Sequence, residues 1–183
     1  MKPNREERVS TEALAESLVI SIHEVTKRLV QDKKQLERFH VLTDDPDVFL
    51  ELFMFHFFAT LRAVAYCSLP LPARDSVVKH MKHRIASWLV LQVGVGDQGL
   101  PQIEALFDLR LAQYEAAVGK MLQGKDCAAT EILIKNLGGV LSEEVSNADI
   151  STWFALYSLF RNRVSGCKEM VGNIIREHEV FTD

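Results

Sequence analysis

Five phenylalanines, Phe49, Phe53, Phe55, Phe57 and Phe58, fall within ten consecutive residues. Projected at ~100° per residue they point in nearly every direction, and a helix apolar all round is a buried one. The segment therefore predicts an interior rod that the rest of the chain wraps. Its start is signalled by Thr43-Asp44-Asp45-Pro46, where acidic side chains suit a helix N-terminus and proline's missing N–H costs nothing. Leu69-Pro70-Leu71-Pro72 ends it, because proline restricts the residue before it as well as itself. The expected helix is 46–67.

The flanking sequence reads as helices joined by short loops. Leu14, Leu18, Ile22, Val25 and Leu29 recur at helical spacing behind Ser10 or Thr11 as caps, with a break at Asp32-Lys33-Lys34. A third helix starts near Ala73 and carries Val77, Val78, Met81, Ile85, Trp88 and Leu89. Pro101 opens a fourth with Ile103, Phe107, Leu111, Tyr114, Val118 and Met121, closed by Gly124; Asp126 heads a short one ending at Gly138-Gly139. Asp149 caps the last. There Trp153, Tyr157, Phe160, Val164, Cys167, Val171, Ile174 and His178 form one seam, and the helix from Ile150 to His178 spans about 43 Å at ~1.5 Å per residue. Gly166 and Gly172 weaken that helix or admit a close neighbour. No run alternates as strands do. The expectation is an all-α, single-domain (1–183) antiparallel bundle of five to seven helices, with residues 1–9 as an N-terminal arm.

Composition removes several classes of protein. In 183 residues, 48% hydrophobic and 25% charged describe an ordinary globular chain, and a net charge of −4 gives nucleic acid no general attraction. Cys67, Cys127 and Cys167 are odd in number and widely spaced, a poor disulfide framework and a poor zinc site. The charged N-terminus does not resemble a signal peptide, and the uncharged run from Leu52 to Leu61 is about half a membrane span. A cytoplasmic location with reduced thiols follows as an expectation.

On a buried rod the polar residues carry most information. Glu51, Phe55, Phe58 and Arg62 share one stripe, an apolar slot with an acidic and a basic end. Ordinary helix-end chemistry also explains that pair of charges: Glu51 near the start, Arg62 snorkelling near the finish. His56 and Thr60 lie on the opposite side, where a core imidazole bonded to a hydroxyl or carbonyl is the usual outcome. Arg110 and Tyr114 stand one turn apart on the fourth helix; Arg110 suits a carboxylate, phosphate or an acidic neighbour on another helix. Candidate ligand contacts are thus Glu51, Phe55, His56, Phe58, Arg62, Arg110 and Tyr114.

Other motifs carry less. Gly94-x-Gly96-x-x-Gly99 matches the dinucleotide fingerprint by letter, but helical periodicity precedes it and the strand–turn–helix context is missing, so an interhelical loop is expected. Glu37-x-x-His40 is one of the two such pairs a di-iron site uses and has no second copy, so no metal or other cofactor is expected. Cys127 beside Asp126 has no base to activate its thiol. Arg74, Lys79, His80, Lys82, His83 and Arg84 form a basic patch, best read as a solvated helix face, one that could dock an acidic face of another copy. With no converging catalytic set, the leading expectation is a non-enzymatic regulatory or adaptor protein. It would act through helix surfaces on a protein partner or on itself as a homodimer. A small-molecule binder with an apolar pocket along 46–67 comes second, and an enzyme whose site is assembled from distant helices third.

Overall fold

A computed structural model describes residues 8–38, 46–93, 100–121, 132–133, 136 and 150–182. Among these the protein is mostly helical, an all-α fold. Strand β1 (Arg8–Ser10) leads into α1 (Thr11–Gln31), followed by the short α2 (Lys33–Arg38), α3 (Pro46–Tyr66), α4 (Leu71–Val93), α5 (Leu100–Met121), α6 (Ile150–Glu177) and strand β2 (Glu179–Phe181).

Local chemistry sets the boundaries. Ser10 Oγ accepts from Ala13 N at 3.1 Å and so caps α1, the first of the two caps the sequence offers. Asp32 closes that helix by donating its N–H to the Arg28 and Leu29 carbonyls, and its own carbonyl accepts from Leu36 N to begin α2. Helix α4 starts at Leu71 rather than near Ala73, since Pro72 fits a first turn, where no N–H is required. The loop expected at Gly94–Gly99, His40 and the Asp126–Cys127 pair lie outside the described residues, as does most of the expected helix between 126 and 138.

Every residue from Glu51 to Thr60 is buried, so α3 is the interior rod its phenylalanines predict. The rings leave it in different directions. Phe53 stacks on Trp88 of α4 with centroids 5.1 Å apart, Phe55 meets Phe160 of α6 at 5.4 Å, and Phe57 meets Phe107 of α5 at 4.9 Å. Each fully buried aromatic contributes about 1.5–3 kcal/mol by area removed from water. Helix α1 packs against α3 and α4, α6 lies along α3, and α5 touches both α3 and α4. The stretch Val48–Tyr66 is long and apolar enough to cross a membrane by length and composition, and here most of it is buried inside the protein.

Five residues of the α6 seam belong to or pack against the core around this rod. Phe160, Cys167 and Val171 are buried, with Val164 and Ile174 packed against the same core. Among the described residues a side chain at Gly166 would meet nothing within 4 Å, and one at Gly172 only the Arg176 side chain at 3.7 Å. Neither glycine therefore serves a close helix approach.

The strands are an addition that the sequence does not announce. β1 and β2 pair in parallel, with Arg8 opposite Glu179, Val9 opposite Val180 and Ser10 opposite Phe181. Three residues are too few for alternation to register, and the partners lie at opposite ends of the chain. Arg8 and Val9, expected in the N-terminal arm, are therefore engaged. Arg8 Nε donates to Glu179 Oε2 at 3.3 Å, an exposed pair that contributes well under about 1 kcal/mol.

Candidate functional site

Five of the seven candidate ligand residues converge on one interior cluster. Glu51 faces α5, where Arg110 Nε donates to its Oε1 at 2.6 Å and the Arg110 Nη2 contacts the same oxygen. Arg110 Nη1 also donates to Gln113 Oε1 at 3.4 Å, and Asn136 Nδ2 donates to that oxygen at 3.2 Å. Tyr114, one turn beyond Arg110, stacks on Phe58 at 5.0 Å and lies near Phe55 at 6.2 Å. Burial, then the Glu51 charge, push the Tyr114 phenol well above its usual range, with Arg110 opposing, so the hydroxyl stays protonated. Among the described residues Glu51 Oε2 and the Tyr114 hydroxyl have no hydrogen-bond partner. Helix-start chemistry therefore does not explain Glu51: the carboxylate is internal and its charge is met by a guanidinium from a neighbouring helix. Such a pair fixes how α5 sits on α3, because removing either charge strands the other in a dry interior.

His56 belongs to a second cluster. Its ring is completely buried, and neither nitrogen has a partner among the described residues. Among the described residues the imidazole makes neither the hydroxyl nor the carbonyl bond expected of it: Thr60 Oγ1 donates to the His56 carbonyl at 2.8 Å, the back-bond usual for threonine in a helix. Burial, reinforced by the positive charge of Arg163, lowers the His56 pKa to about 3, so the ring is neutral at physiological pH. Arg163 reaches in from α6, its Nε donating to Thr60 Oγ1 at 3.3 Å and its Nη1 to Ser21 Oγ at 3.1 Å. One guanidinium thereby ties α6 to α3 and α1. Cys167 Sγ lies 3.5 Å from Thr60 Oγ1 in the same dry setting.

Arg62 takes the opposite course to Glu51 and ends at the surface. Its Nη2 donates to the Tyr66 hydroxyl and its guanidinium lies over the Tyr66 ring, 4.7 Å from the centroid. Lys168 of α6 approaches the same ring at 5.6 Å. Arg62, Tyr66, Phe160, Arg161, Val164, Ser165 and Lys168 line a groove of about 290 Å³ between α3 and α6. Arg62 also lines a neighbouring groove of about 320 Å³, whose other described walls are Phe58, Leu61, Ala65, Val78, Leu111 and Glu115. The two share Arg62 and differ in character, the first cationic and the second apolar. Both are open on the solvent side.

The basic stretch on α4 does not act as a unit. Arg74 Nη2 donates to the carbonyls of Cys67 and Leu69, each at 3.3 Å, and so closes the end of α3. Arg84 pairs with Glu12 at 3.1 Å and Glu16 at 3.8 Å on α1. Lys82 and His83 line a groove of about 220 Å³ with Ala86, Phe107 and Asp108, whereas Lys79 is exposed and His80 partly buried. Among the described residues no three His, Cys, Asp or Glu side chains gather as metal ligands would.

Tyr66, Arg161, Ser165 and Lys168 are the site residues that sequence reasoning missed. The signal was present: positions 161, 165 and 168 recur at i, i+4 and i+7, a polar stripe beside the apolar seam. Against protein-family models, curated proteins and solved structures, the chain finds no match.

Proposed function

We propose that this is a non-enzymatic protein that works by docking a partner on its helix surfaces, as a regulatory or adaptor element in the cytoplasm. In this reading residues 1–183 form one domain, an antiparallel bundle built round α3. One observation carries it: the α3–α6 groove gathers Arg62, Arg161, Lys168 and a half-exposed Tyr66 on the outside of the protein. Aromatic and arginine side chains on an open surface are what protein interfaces enrich. The interior polar groups support the same reading. Glu51 is held by Arg110, and His56 is neutral and enclosed.

A second reading, an amphipathic small molecule, draws on the Phe58–Leu61–Leu111 groove. Ligand sites of that kind bury most of their occupant, and an open trough favours a polypeptide instead. Native mass spectrometry of the protein from its own cell extract separates the two. A second polypeptide or a second copy of the chain is expected. A single chain alone refutes the docking reading, and a single chain carrying a small molecule replaces it with the second.

A further inference from the structure

From the paired grooves we infer the chemistry of the docked partner, an inference that rests on the docking reading: it is an acidic amphipathic helix that lies along α6. Three cations, Arg62, Arg161 and Lys168, face one groove whose described lining contains no carboxylate. Among the described residues Arg8, Arg84 and Arg110 form ion pairs with carboxylates, whereas no carboxylate there pairs with the three cations of the groove: Arg62 and Lys168 lie over the Tyr66 ring and Arg161 over that of Tyr157. In a chain of net charge −4 such a local excess is a selective feature of the surface.

The spacing adds geometry to charge. Arg161 and Lys168 are seven residues apart, two turns, which places them about 10 Å apart along one face of α6. A partner helix alongside presents carboxylates at that interval when acidic residues recur at i and i+7. Its apolar stripe then reaches past Arg62 into the trough formed by Phe58, Leu61, Ala65, Val78 and Leu111. Glu115, the carboxylate on that second groove, sets the polarity: it repels acidic residues on the apolar side and leaves them the Arg161–Lys168 side.

Fluorescence anisotropy with synthetic labelled helices tests this on the full chain. One probe carries a leucine stripe flanked by glutamates at i and i+7; a second is identical with lysines in place of glutamates. The glutamate probe is expected to bind about tenfold or more tightly than the lysine probe, and binding should weaken as salt rises. The double variant R161E/K168E, at two exposed positions, should invert the preference by a similar factor while its thermal melt stays that of the parent. Glu115→Gln should tighten the glutamate probe about twofold, as expected for one rim charge. Equal binding of both probes, or glutamate-probe binding that R161E/K168E leaves intact, overturns the inference. So does anionic phosphatidylglycerol vesicle binding without peptide binding, which would assign the cations to a membrane surface. The two proposals fail differently. A native complex that survives R161E/K168E refutes this partner chemistry and leaves docking standing, whereas the absence of any native complex refutes docking itself.

Discussion

Lowering the pH should destabilise this protein through a single buried imidazole. His56 has a folded pKa of about 3, against 6.5 for an exposed histidine. As pH falls, the unfolded chain takes up the proton first, so stability is intact above about pH 6.5 and is lost progressively until about pH 3. Linkage with those two values gives a loss of about 2 kcal/mol between pH 7.5 and pH 5, and more than about 3 kcal/mol by pH 4. Carboxylates also titrate over this range, so the measurement must isolate the histidine. Urea denaturation of the parent and of His56→Met, at pH 7.5 and pH 5, does so. Methionine fills similar volume and removes two unpartnered nitrogens, so the variant should match or exceed the parent at neutral pH. Its stability should fall by about 2 kcal/mol less than the parent's on acidification. Equal losses in the two proteins would refute the reasoning, for they would mean the imidazole meets solvent or a partner in the native state.

Three further outcomes follow from the packing. Arg110→Met strands Glu51 in the interior and should cost about 3–5 kcal/mol in denaturant midpoint analysis, while the double change with Glu51→Leu should recover most of that loss. Phe57→Ala removes a fully buried ring against Phe107 and should cost about 3–5 kcal/mol by the same assay. Gly166→Ala should stabilise by about 0.5–1 kcal/mol and raise the melting temperature, since the added methyl meets open space in a continuous helix.

The all-α fold was legible in the sequence because its signals are local. Phenylalanine spacing announces α3, Ser10 caps α1, and a seven-residue alternation marks α6. What escaped depends on pairs distant in the chain. Arg8 and Glu179 close a two-strand pairing from opposite ends, and Arg163 bonds Ser21 and Thr60, far away in sequence. Of the candidate ligand set, Glu51, Phe55, Phe58, Arg110 and Tyr114 meet because α5 lies on the α3 face that bears Glu51. His56 and Arg62 diverge because successive residues on a rod buried all round face different neighbours. The basic run on α4 looked coherent as letters, yet Arg74 and Arg84 point to opposite tasks once the helix is placed.

Hydrogen exchange of the α3 amides tests the central claim, that the phenylalanine-rich helix is the enclosed axis of the protein. Amides from residue 51 to residue 60 should exchange only through global unfolding, with protection that equals the stability measured by denaturant. Exchange of those amides within seconds under native conditions would contradict it.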